Sequence, residues 1–189
     1  MAKRPSGPTQ PQDKRKRFVR QKVEPVDLKP GQTFVPHVSL IQEKLIGRTL
    51  VEFSRLDHVL SEMIWSLLKL QMKDGRLITT RMDMTAKIAM LQILVPRYYD
   101  QPKCHAVLSI LDIADFIRED RNFIAHGLWG TLMPDNVPMV ASIRPKTDPT
   151  SVVSEAFPQE RLRNIIRATI RMTGLLQNLT GAHSTLRDK

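Results

Sequence analysis

Three residues that can do phosphate chemistry stand close together in the run Arg121-Asn122-Phe123-Ile124-Ala125-His126-Gly127. Guanidinium is a permanent cation whose planar fork matches two phosphate oxygens at once. Imidazole is the side chain whose ordinary pKa lets it take up and release a proton near neutral pH. Arg121 and His126 could therefore bind a phosphodiester and move its protons without a metal.

Whether they act together depends on the helix that carries them. The pattern predicts a helix over 103–126. At about 100° per residue, Val107, Ile110, Leu111, Ala114, Ile117 and Ile124 form one apolar stripe, and Arg121 falls near its middle. Asp112, Asp115, Glu119, Asn122 and His126 share another face at spacings of three and four. Asn122 and His126 are thus surface neighbours, whereas Arg121 and His126 point roughly 140° apart on an ideal helix. They can serve one substrate only if the helix end unwinds or if a second chain supplies the other half.

A plainer reading uses the same residues. Gly127 is an ordinary helix stop in a left-handed C′ conformation, and His126 in the last turn suits the helix dipole. Arg121 on an apolar stripe can snorkel, or pair with a carboxylate such as Asp57 or Glu62.

Arg121-Asn122-x3-His126, followed by Gly127, resembles the Arg-x4–6-His signature of the HEPN superfamily (higher eukaryotes and prokaryotes nucleotide-binding). The residue after the Arg in that family is typically Asn, Asp or His, and the motif lies near the end of a helix in a small all-α bundle. The resemblance implies a metal-independent endoribonuclease in which the ribose 2′-hydroxyl attacks the neighbouring phosphate, giving a 2′,3′-cyclic phosphate and a 5′-hydroxyl. It assigns His126 as general acid/base, Arg121 as the phosphate-holding cation, and Asn122 as an orienting or phosphate-donating group. It implies a homodimer with both motifs facing one cleft. It leaves open a toxin–antitoxin or phage-defence role and an antitoxin protein as partner.

Composition agrees with a polyanionic partner. The chain has 189 residues, 41% hydrophobic and 25% charged, with a net charge of +10; that is enough for one domain with a sizeable core. A sequence pI near 10.1 points to RNA or another nucleic acid, or an anionic surface. The single cysteine, Cys104, permits no intramolecular disulfide and fits a reducing cytoplasmic setting. His37, His58, His105, His126 and His183 are scattered, so no zinc site and no cofactor is expected. No secretory signal and no run of about 18 apolar residues is visible.

Residues 1–38 read as a disordered basic arm. They hold nine cations, three anions and six prolines, too little apolar surface to offset the entropy of ordering. Lys14, Arg15, Lys16 and Arg17 form its centre, either as a substrate-binding cluster for the RNA backbone or as a solubilising tail. A helical domain follows over 39–181, with a fraying tail over 182–189. Ser39 and Gln42 match a capping box. A long amphipathic helix is expected over 40–72, closed by Lys73-Asp74-Gly75, and a second begins at Asp83 or Thr85, with Pro96 in its last turn or at a kink.

After the motif, Trp129–Met133 and Met139–Arg144 read as a β-hairpin turning at Asp135-Asn136. Trp129 either stacks on a substrate base or packs against the helix end. Residues 145–158 read as a proline-rich loop, and a last helix starts after Pro158 and stops at Gly181. Arg161, Arg163, Arg167 and Arg171 mark its polar side, as a phosphate track or a solvated face. The expected fold class is therefore all-α: a four-to-five-helix HEPN-like bundle with a small β-hairpin insertion after the motif helix. Against the ribonuclease reading stand a non-catalytic RNA- or nucleotide-binding module and a structural helical dimer. A DNA-binding protein is less favoured, since no recognition helix stands out.

Overall fold

The computed structural model describes residues 30–143 and 152–181. Five helices and a four-stranded antiparallel sheet make up this part of the chain. The order is β1 (Thr33–Val35), α1 (Leu40–Leu67), α2 (Met72–Thr79), α3 (Met84–Tyr98), α4 (Lys103–His126), β2 (Leu128–Met133), β3 (Val137–Ile143), β4 (Val152–Ala156) and α5 (Gln159–Thr180). The fold is mostly helical, as expected, with more sheet than one hairpin.

Helix α1 is the central element, packing against α2, α3, α4 and α5. Its apolar stripe supplies Phe53, Leu56, Leu60 and Ile64 to a core completed by Leu91 and Val95 of α3, Val107, Leu111 and Ala114 of α4, and Leu162 and Leu176 of α5. Ser39 caps α1 as the sequence indicates: its hydroxyl accepts from the Gln42 amide at 3.3 Å, and the Gln42 side chain accepts from the Ser39 amide at 3.2 Å. Asp83 caps α3 by accepting from the Ala86 amide at 2.7 Å. Pro96 lies inside the last turn of α3.

Two helix ends differ from expectation. The first helix stops at Leu67 rather than 72, and Lys69 takes a positive φ of 53°. Gly75 then lies inside α2 instead of ending α1. Its lack of a side chain has a packing cause, since a Cβ there would come within 2.4 Å of the Trp65 ring. The Trp65 indole N–H donates to the Thr79 hydroxyl at 3.0 Å, so α2 folds back onto that ring. Gly127 is not left-handed either: its φ of −79° and ψ of 150° are extended. A Cβ there would lie 2.2 Å from Val140 Cγ1 and 2.6 Å from the Phe123 carbonyl oxygen. Glycine is needed for the close approach of strand β3, not for a special φ.

The hairpin forms from β2 and β3, with Trp129 opposite Val140 and Asn136 at a positive φ of 53° in the turn. Strand β1 lies inside the segment read as a disordered arm and pairs with β2, Phe34 opposite Leu132. Gly130 leaves room for the Phe34 ring, which a Cβ would meet at 2.3 Å. Strand β4 lies in the segment read as a loop and pairs with β3, Met139 opposite Ala156. The sheet order is β1-β2-β3-β4.

Candidate active site at the end of α4

The motif turn of α4 rests on an aromatic and ionic support. Phe157, fully buried just after β4, stacks on Phe123 with ring centroids 6.5 Å apart and meets the Trp129 ring edge-on at 5.4 Å. The Trp129 indole N–H donates to the Ile124 carbonyl at 3.0 Å. That bond satisfies one of the carbonyls a helix leaves open at its C-terminus. Trp129 is half-buried and packs on the core, so its geometry is that of a packing residue.

Arg161, the third residue of α5, adds the ionic part. Its guanidinium reaches Asp120 at 2.7 Å and Glu155 at 3.1 Å, and lies over the Phe157 ring at 4.0 Å. The side chains of Asp120 and Glu155 are only 14% and 5% exposed, so the pair is bound to a cation where water is scarce. Arg161 therefore does not belong to an exposed arginine row. Of the others, Arg167 pairs with Glu160 at 2.8 Å and Arg163 approaches it at 4.0 Å, which is the pattern of a solvated helix face.

Arg121, next to Asp120, is half-buried and donates to the Asn122 side-chain oxygen at 3.0 Å. Neither carboxylate considered for it is used in that way. Asp57 binds Lys87 at 2.6 Å, and Glu62 lies 3.3 Å from His58. Among the described residues Arg121 has no carboxylate partner. It forms, with Asn122, part of the wall of a cavity of about 370 Å³. The rest of the wall comes from Phe53, Ser54 and Asp57 of α1, from Met82 to Thr85 before and at the start of α3, and from Arg118.

His126 is exposed and does not line this cavity. The last turn of α4 is fully wound: the Gly127 amide still donates to the Phe123 carbonyl at 2.9 Å. His126 is thus displaced from Arg121 by about 7.5 Å along the axis and roughly 140° around it. Of the three motif residues, Arg121 and Asn122 are brought together at the cavity and His126 is not. Lys14, Arg15, Lys16 and Arg17 lie outside the described residues.

Sequence reasoning missed Arg118 and Asp83 as neighbours of the motif, and named Asp57 only as a possible ion-pair partner of Arg121. Arg118 stands three residues before Arg121, a helical-neighbour spacing that does signal a shared face. Asp57 and Asp83 come from distant chain segments, and only the packing of α1 and α3 against α4 brings them there. No family model, no curated protein and no solved structure matches the chain. Among the described residues no helix is long and apolar enough to cross a membrane, and no group of three or more His, Cys, Asp or Glu side chains is placed to hold a metal ion.

Proposed function

We propose that the chain is a metal-independent endoribonuclease whose site is shared between two copies. The observation that carries the reading is the state of Arg121: half-buried, braced on Asn122, without a carboxylate partner among the described residues, and facing a cavity. A guanidinium held in that way is a preorganised phosphate ligand. An arginine present only for stability would be expected to use a buried acid, as Arg161 uses Asp120 and Glu155.

The intact helix end supports the shared site. Since α4 does not unwind before Gly127, one copy directs Arg121 and His126 to different faces. A two-fold axis near the end of α4 would set His126 of one copy beside Arg121 of the other. The reaction then balances without another participant. A neutral imidazole takes the 2′-hydroxyl proton as the 2′ oxygen bonds to phosphorus. The bond from phosphorus to the 5′ oxygen breaks, and the imidazolium just formed gives its proton to that leaving oxygen. The guanidinium of Arg121 from the other copy stabilises the charge that gathers on the non-bridging oxygens.

The test is a gel of total RNA incubated with the purified protein and with His126→Ala, in the presence and absence of EDTA. Cleavage by the parent protein that survives EDTA and is lost in the variant supports the reading. The absence of any cleavage would leave a second reading, favoured by the exclusion of His126 from the cavity: a non-catalytic module that binds RNA or a nucleotide through Arg121. A toxin–antitoxin or phage-defence role, with an antitoxin protein as partner, is a further part of the proposal, and co-purification of a neighbouring gene product would test it.

A further inference from the structure

The cavity beside Arg121 has a composition that a phosphate site alone does not need. Apart from Arg121 and Asn122 its wall holds one more guanidinium, Arg118, and two carboxylates, Asp57 and Asp83. Arg118 uses its Nε to bind Asp115 at 3.0 Å, and no bond of its terminal nitrogens occurs among the described residues. Asp83 uses Oδ1 to cap α3 at Ala86, which leaves Oδ2 to accept. The cavity's apolar surface comes from Phe53, Met82 and Met84. At about 370 Å³ it falls within the roughly 300–1,000 Å³ range of small-molecule pockets.

We infer that this cavity is a nucleobase pocket that prefers guanine, seating the base of a nucleotide joined to the scissile phosphate. The inference rests on the ribonuclease reading for the word scissile, but not for the recognition chemistry. A pocket with a guanidinium fork and carboxylates selects a ligand with two adjacent acceptors on one edge and adjacent donors on another. Guanine has that pattern. Its N7 and O6 accept from an arginine fork, and its N1–H and exocyclic amine donate to carboxylate oxygens. Adenine offers one acceptor and one donor on the N7 edge, and the pyrimidines lack N7. Arg118 would read the N7–O6 edge and Asp83, through Oδ2, the donor edge, while Asp57 keeps its Oδ2 on Lys87 at 2.6 Å and offers Oδ1. The thioethers of Met82 and Met84 and the Phe53 ring give the base an apolar, polarisable surface. Arg121 and Asn122 border the same cavity, so the phosphate attached to that nucleoside would meet them directly.

Two measurements separate this inference from the ribonuclease reading. The first titrates the full chain with 3′-GMP, 3′-AMP, 3′-CMP and 3′-UMP by calorimetry. The second maps cut sites at nucleotide resolution on an RNA of mixed sequence. Two variants keep the fold. Asp83→Asn leaves an equally good helix cap, and Arg118→Lys keeps the charge but loses the fork. The expected result is 3′-GMP bound at least about tenfold more tightly than the others, the scale of one bidentate base contact, with that preference reduced about tenfold in either variant. If RNA is cut, the cuts should lie next to G. Cutting without base preference, together with equal binding of the four nucleotides, overturns the pocket and leaves the ribonuclease reading standing. Guanine-selective binding without cleavage does the reverse. Neither preference nor cleavage removes both.

Discussion

Arg161 of α5 and Asp120 of α4, 41 residues apart in sequence, meet at 2.7 Å, and Asp120 is the residue before the motif arginine. With Glu155 also on Arg161 at 3.1 Å, one guanidinium ties strand β4 and the start of α5 to the last turns of α4. Arg161→Ala takes that cation from two carboxylates that stay buried. Removing one partner of a buried pair costs about 3–5 kcal/mol, and the partial exposure of Arg161, 22%, places this case near the lower end. Urea unfolding should report a loss of about 3 kcal/mol. Arg163→Ala, on the exposed face, should change stability by less than about 0.5 kcal/mol. Equal effects in the two variants would contradict the assigned role of Arg161.

Gly127→Ala should also destabilise, through steric overlap rather than backbone strain. The new methyl would meet Val140 Cγ1 at 2.2 Å and the Phe123 carbonyl at 2.6 Å, so β3 or the end of α4 must move, at a cost of about 1–3 kcal/mol. Gly174→Ala is the comparison, because a Cβ there meets nothing within 4 Å inside a helix. It should be neutral or stabilise by up to about 1 kcal/mol. Thermal unfolding of the two variants side by side checks this. A stable Gly127→Ala would mean that the hairpin approaches α4 less closely than these distances require.

Helix α4 was legible to its last residue, because its apolar repeat is long and Gln101-Pro102 and Gly127 bracket it. The cap at Ser39 and the stop at Gly181, with φ 65°, were equally legible, since each has a local cause, and of the two helix starts offered, Asp83 and Thr85, the first is the cap. Gly75 misled because glycine has two uses. As a helix stop its signal is local, but here it gives way to the ring of Trp65, ten residues back. Strands β1 and β4 were hidden for a related reason. Each is short, flanked by prolines, and exists only because β2 and β3 offer edges to pair with. At the candidate site, type and spacing single out Arg121, Asn122 and His126, of which the first two line the cavity and the third does not. Of their cavity neighbours, Asp57 entered only as a possible ion-pair partner and Asp83 only as a possible helix start, because no local pattern records which helices will meet.

The basic segment over 1–29 lies outside the described residues, and the structure alters how its role should be tested. A deletion of 1–38 would also remove Thr33–Val35, which pairs with β2 beside the motif. A deletion ending at residue 29 spares that strand. If Lys14, Arg15, Lys16 and Arg17 contact RNA phosphates, the logarithm of affinity should fall less steeply with the logarithm of salt after the deletion. The slope should change by about 0.7 for each phosphate that the arm neutralises. Filter binding at several salt concentrations measures it, and an unchanged slope would assign the arm to solubility alone.

A site shared between two copies makes a prediction that a one-chain site does not. Suppose Arg121 of one copy works with His126 of the other. A heterodimer of Arg121→Ala with His126→Ala then has one site lacking both groups and one site holding both. Each variant alone should have lost cleavage by a factor of about 10²–10⁴, and mixing them with time to exchange subunits should restore a sizeable fraction of the parent rate. Arg121→Lys should stay inactive in its own homodimer, since ammonium lacks the fork, yet be rescued in the same way by His126→Ala. Light scattering should report a dimer at micromolar concentration, and circular dichroism should show each variant folded. If the parent protein cuts RNA but the mixture is no more active than its components despite confirmed exchange, Arg121 and His126 do not act across a two-fold axis. In that case the roughly 140° between them must be bridged within one chain, by unwinding the turn of α4 that the Gly127–Phe123 hydrogen bond now closes.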